Sequence, residues 1–85
     1  GVRVQDVSGG LTQGSGVTVT TVDRGTPADS AGLKAGDIIM QVNDLPVQNV
    51  EEFFNLVERL SGQRVNLGVI RQGIFSIVIV PSFYY

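Results

Sequence analysis

Between Arg24 and Asn43 almost every residue has one conformational job, and this segment constrains the fold more than any other. Gly25 and Pro27 flank a bend, and Pro27 presets φ for the first position of a short helix. Ala28 and Ala31 lie about one turn apart, so a single helical turn can press onto a sheet while Asp29 and Ser30 face water. Gly32 stands where a chain leaving a helix needs positive φ. Leu33 then folds back as an apolar plug. Lys34 to Asp37 reads as a second tight turn before a strand from Ile38 to Val42. Simple alternation places Ile38, Met40 and Val42 on one face of that strand and Ile39 and Gln41 on the other.

On either side of this segment the pattern is that of strands and one longer helix. Gly1 to Val7 alternates, with Val2 and Val4 on one face and Arg3 and Gln5 on the other. Ser8 to Gly16 holds four glycines and one apolar residue, Leu11, and is expected to be a mobile loop. Val17 to Val22 is β-branched, but Val17 and Val19 face opposite to Val22, which predicts a bulge or a change of partner near Thr20-Thr21. Asn43-Asp44 sits between two strand-like pieces as a hairpin turn.

Asn49 can cap a helix that Glu52 closes as a capping box, with Glu51 and Glu52 at the positive end of its dipole. The helix runs to about Leu60 and Gly62 stops it. Its apolar set is too wide for one buried face: Phe53, Leu56, Val57 and Leu60 can point inward, which leaves Val50 and Phe54 on the shoulder. Val65 to Ile70 and Ile74 to Val80 form a hairpin around Gln72-Gly73, with Val65, Leu67 and Val69 inward and Phe75, Ile77 and Ile79 sharing one side of the return strand. Pro81 ends it, and Ser82 to Tyr85 remains as an apolar tail without an evident partner. The order of strands and helices specifies a small α+β domain.

Eighty-five residues allow one domain with a thin core. No run approaches the length of a membrane span. Six basic residues against eight acidic ones, unclustered, leave no electrostatic footprint for nucleic acid. Cysteine and histidine are both absent, which removes thiolate metal sites, the usual general base and any Ser-His-Asp triad. A Ser-Lys pair would have to use Lys34, the only lysine, in an exposed turn. Catalysis, cofactor binding and metal binding by these residues are therefore not expected. Gly1 opens directly on a strand pattern, so residues 1–85 are expected to be a single domain cut from a larger protein.

Gly25-Thr-Pro-Ala28, Ala31-Gly-Leu33, Gly36-Asp-Ile-Ile39 and Val42-Asn43 together resemble the signature of PDZ domains, in particular the bacterial, circularly permuted kind of HtrA/Do-type serine proteases. The resemblance covers roughly the whole chain. It implies a PDZ-like small antiparallel β-sandwich or partly open barrel of five to six strands, capped by one short and one long helix. It also implies an activity: recognition of hydrophobic C-terminal or extended peptide segments for a separate protease domain, in a bacterial periplasm or cell envelope. An assembly role in a secretion or other envelope complex, or gating within a membrane metalloprotease or a C-terminal processing protease, fits the same fold.

In this family the peptide joins the first strand beside the long helix. Carried onto this sequence, the peptide-binding residues are Gly1, Val2, Arg3, Val4 and Gln5 on the strand, and Val50, Phe54, Val57 and Glu58 on the helix. Val50 stands where some PDZ domains carry a histidine that bonds a ligand hydroxyl, so an apolar ligand side chain is expected there. The terminal carboxylate would be held by backbone N–H groups of a loop ending at Gly1. Read as residues alone, Val2 and Val4 serve equally as sheet core, and Arg3 and Glu58 as solvated charges. Phe83, Tyr84 and Tyr85 end in a carboxylate and could dock into a neighbouring groove, giving head-to-tail self-association.

Overall fold

A computed structural model describes residues 2–6 and 16–83. All of the loop expected from Ser8 to Gly16 except Gly16 itself lies outside the described residues, as do Gly1, Val7, Tyr84 and Tyr85. Six strands form one antiparallel sheet: β1 (Val2–Asp6), β2 (Val17–Val22), β3 (Ile38–Val42), β4 (Leu45–Pro46), β5 (Val65–Arg71) and β6 (Ile74–Val80). The sheet order is β1-β2-β3-β5-β6, with β4 paired to β3 off that path. Two helices complete the fold, α1 (Pro27–Ser30) and α2 (Val50–Arg59).

The segment from Arg24 to Asn43 folds as its residues dictate. Pro27 opens α1 behind Thr26, whose Oγ1 accepts from Asp29 N–H at 3.3 Å. Ala28 is buried, Gly32 has φ of 98°, and Leu33 is buried as the plug. Both two-residue hairpin turns have positive φ at each central residue, Asn43 and Asp44 in one and Gln72 and Gly73 in the other. That is the type I′ geometry whose twist matches the flanking strands. Asn43 is a productive choice for the first, because its Oδ1 accepts from Asn66 N–H and its own N–H donates to Asn66 O, both at 2.8 Å. The turn is thereby bonded to β5.

Two register irregularities set which side chains are buried. The β1–β2 pairing shifts between Arg3 and Val4, leaving Thr20 unpaired, and Thr20 Oγ1 donates to Arg3 O at 3.2 Å. This is the bulge expected from the valine pattern. A second shift, between Ile39 and Gln41 in the β3–β5 pairing, inserts Met40 as an extra residue. It corrects the expected alternation in β3: Ile39 and Val42, three apart, are both fully buried on one face.

The core joins Val17, Val19, Ile39, Val42, Val65, Leu67 and Val69 of the sheet to Phe53 and Val57 of α2. Val47 is also buried, and its N–H donates to Met40 O. On β6 only Val78 and Val80 turn inward, while Phe75, Ile77 and Ile79 are about half exposed on the opposite face.

The tail after Pro81 requires a correction. Phe83 is completely buried and meets Phe53 edge-to-face, ring centroids 6.2 Å apart. Its backbone is fixed by Phe83 N–H to Gln63 O at 3.0 Å and by Gly62 N–H to Phe83 O at 2.8 Å. The chain end expected to lack a partner thus supplies a core residue, and Phe83 is not offered to a neighbouring molecule.

Candidate functional site

β1 is an edge strand. It pairs with β2 on one side, and among the described residues no strand pairs with the other. In any such strand, alternate backbone N–H and C=O groups point away from the sheet. The helix α2 packs against β1, so the open edge lies along a helical wall.

The helix is held there from both ends. Asn49 Oδ1 accepts from Glu52 N–H as the spacing predicts, but Glu52 Oε1 reaches past the N-cap and accepts from Gln48 N–H in place of Asn49 N–H, each bond 2.9 Å. Asp6, the last residue of β1, reaches across and its Oδ1 accepts from Val50 N–H at 2.7 Å. Further along, Phe53 and Val57 anchor the helix in the core, and at its C-terminal end Leu60 N–H bonds to Val57 O.

Of the residues singled out in the sequence, the structure gives different surroundings to each. Gly1 lies outside the described residues. Val2 and Val57 are buried and belong to the core, so they can form only a floor. Val4 and Val50 are half-buried and pack on that core from β1 and from the first position of α2. Phe54 is 41 % exposed, one residue from the fully buried Phe53, which confirms that the two neighbouring rings divide between surface and interior. Arg3, Gln5 and Glu58 are exposed. Val50, Phe54 and Val57 follow the i, i+4, i+7 spacing of one helical face. Asp6 closes the strand that the resemblance carries over as one wall of the site, but its bond to α2 was not expected, since nothing local marks a contact formed across 44 positions.

A second polar constellation sits away from this edge. Asp37 is 1 % exposed, and its carboxylate takes Arg71 in bidentate fashion: Nε to Oδ1 at 2.7 Å and Nη2 to Oδ2 at 2.6 Å. Arg71 Nη2 also donates to Gly32 O at 2.7 Å, and Lys34 N–H donates to Asp37 Oδ2 at 3.0 Å. Burial of Asp37 opposes its ionisation, but the bonds from Arg71 and Lys34 and the attraction of Arg71 outweigh it and hold the carboxyl below the usual aspartate range. Every member of the cluster is paired within the fold, so it is a strut that ties the turn after α1 to the end of β5.

A six-stranded antiparallel sheet with two helices, one of them lying along an open edge strand, defines the PDZ class of domain. The chain belongs to the PDZ domain family, whose profile matches residues 18–71, and its fold is that of the HtrA PDZ domains. The crystal structure of the HtrA3 PDZ domain bound to a phage-derived ligand (FGRWV) superposes with a TM-score of 0.82 at 25 % identity, covering 98 % of this chain and 82 % of that one. The HtrA-type protease AlgW with decapeptide gives a TM-score of 0.82 at 25 % identity over 95 % of this chain and 27 % of that one. In sequence, the chain is 42 % identical over 65 residues to the magnetosome formation protease MamE of Paramagnetospirillum magneticum, covering 75 % of the chain and 9 % of that protein. It is 36 % identical over 80 residues to a probable periplasmic serine endoprotease, DegP-like, of Hahella chejuensis, covering 86 % of the chain and 17 % of that protein. The chain thus spans under a fifth of the length of these relatives.

Proposed function

We propose that this chain is the peptide-recognition domain of a bacterial envelope serine protease of the HtrA type. It binds hydrophobic C-terminal or extended segments by adding them as a strand to β1 in the cleft along α2. The observation that carries this reading is the open edge of β1 directly beside α2. An added strand gains affinity from backbone bonds that any sequence can make, and selectivity from the side chains beside it. Here those side chains are apolar. Val2 and Val57 floor the cleft, Val4, Val50 and Phe54 wall it, and Arg3, Gln5 and Glu58 stand at its rim.

Val50 carries no hydrogen-bonding group, so a ligand side chain facing the start of α2 is selected for its apolar surface. The terminal carboxylate falls to backbone N–H groups at and before Gly1. Hydrolysis belongs to a separate protease domain of the parent protein, and the likeness to relatives named periplasmic endoproteases supports a periplasmic or envelope location. The FGRWV ligand of HtrA3, which ends in valine, is the kind of segment this cleft would accept.

The test is a library of random C-terminal peptides, screened against residues 1–85 and against a version extended upstream by about ten residues to complete the carboxylate loop. Enrichment of apolar C-termini by either version supports the reading, and enrichment of none by both overturns it. Within that assay Phe54→Ala is expected to weaken binding by ~1 to 3 kcal/mol, as removal of an interface anchor does. Because Phe54 is 41 % exposed, the melting temperature should hardly move. Unchanged affinity in calorimetric titration would remove α2 from the site.

A second reading, in which the cleft holds a structural partner of an envelope assembly, draws on the likeness to a magnetosome formation protease. One narrow consensus from the library, in place of a broad apolar preference, would favour it.

A further inference from the structure

We propose that Asp6 is a positioning residue for the upstream part of a bound peptide, acting through α2. The proposal rests on the reading of the β1–α2 cleft as the peptide site. Asp6 is exposed at the far end of β1, and its carboxylate accepts from the N–H of Val50 at 2.7 Å. Val50 is the first residue of α2, where the backbone N–H has no acceptor inside the helix. Asp6 is not the sole support of this helix end, since Glu52 N–H bonds to Asn49 Oδ1 and Gln48 N–H to Glu52 Oε1 within the local sequence. What Asp6 adds is a charge-assisted tie between the two walls of the cleft.

The place of the tie along the cleft follows from strand pairing, which advances one residue for each residue. A ligand running antiparallel to β1 with its last residue opposite Val2 has its third-last residue opposite Val4 and its fifth-last opposite Asp6. The latch therefore fixes the separation of the walls where the fourth and fifth residues from the ligand's end pass. The Val2 end is set independently, by the burial of Val2 and Val57 in the core. Ligand length should thus decide whether Asp6 matters.

Two probes with the same free carboxyl end separate the cases: the pentapeptide Phe-Gly-Arg-Trp-Val and its truncation Arg-Trp-Val, titrated by NMR so that millimolar affinities are read. In Asp6→Ala the pentapeptide should bind roughly five- to tenfold more weakly, as loss of a bond to a charged group does, while the tripeptide changes by less than about twofold. Asp6→Asn, which keeps an acceptor oxygen for Val50 N–H, should restore most of the pentapeptide affinity. Equal weakening of both peptides would mean that Asp6 only stabilises the fold, and the proposal fails. It fails equally if the pentapeptide is unaffected in Asp6→Ala, or if Asp6→Asn restores nothing. Should the unaltered domain, folded by its amide spectrum, bind neither peptide nor any library member, the cleft reading itself is lost and the proposal with it.

Discussion

Phe83→Ala is expected to lower the stability of the domain by ~3 to 5 kcal/mol, the range for truncating a fully buried phenylalanine. A single domain of ordinary stability has only about 5 to 15 kcal/mol in total, so this one change near the chain end removes a large share of it. The size of the effect follows from two losses together. Phe83 is 0 % exposed, and its ring meets Phe53 of α2 edge-to-face, so the alanine both leaves a cavity and removes that ring contact. Phe83→Leu should recover more than half of the loss. Urea unfolding monitored by circular dichroism measures it, and a change below about 1 kcal/mol for the alanine variant would show that the tail is not part of the core. Because Phe53 sits in α2, the loss should also loosen the helical wall of the cleft.

The other large effect concerns the Asp37–Arg71 pair. Removing one partner of a buried ion pair costs far more than the pair contributes, because the remaining charge stays buried without compensation. Arg71→Ala strands the Asp37 carboxylate at 1 % exposure with only Lys34 N–H left to it, and also removes a donor from Gly32 O. A loss of ~2 to 4 kcal/mol at neutral pH is expected.

The pH dependence has a definite sign. Asp37 has a lower pKa folded than unfolded, so its contribution is complete above the unfolded value of about 4 and is lost as pH falls through the lower folded value. The unaltered protein should therefore lose stability below about pH 4, and Asp37→Asn, though weaker at neutral pH, should show a flatter stability profile there. Chemical unfolding across pH 2 to 7 distinguishes the two. Parallel profiles would show that other carboxylates govern acid unfolding.

Most of the fold was legible where a residue's local conformation admits few alternatives. Gly32 takes the positive φ expected where the chain leaves α1, and both hairpins turn at the expected pairs, although the positive φ of Asp44 and Gln72 was not readable from those residues. Asn49 as the N-cap of α2 was legible from the spacing, while the return bond of Glu52 goes to Gln48 N–H, one residue before the expected Asn49 N–H. The bulge at Thr20 was visible because valines on both sides of it change parity. The bulge at Met40 was not, since Ile38 to Val42 is apolar at four of five positions and alternation cannot reveal a slipped register. For the same reason β6, apolar at every position but Ser76, gave no sign that Val78 and Val80 face inward and Phe75, Ile77 and Ile79 outward.

The candidate site was legible in part. The excess apolar width of α2 correctly separated the exposed Phe54 from the buried Phe53, because adjacent helical residues point about 100° apart. The resemblance carried by the Gly25–Asn43 signature supplied the remaining residues of the cleft.

By itself the amino-acid sequence determined the turns, the helix ends, the order of elements and the absence of histidine and cysteine, since each depends on a residue's own chemistry or on neighbours within about four positions. Tertiary structure alone decided that Phe83 closes the core under α2, that Arg71 neutralises Asp37, and that Asp6 ties β1 to Val50. These contacts span 30, 34 and 44 positions, and their partners become neighbours only when the sheet assembles.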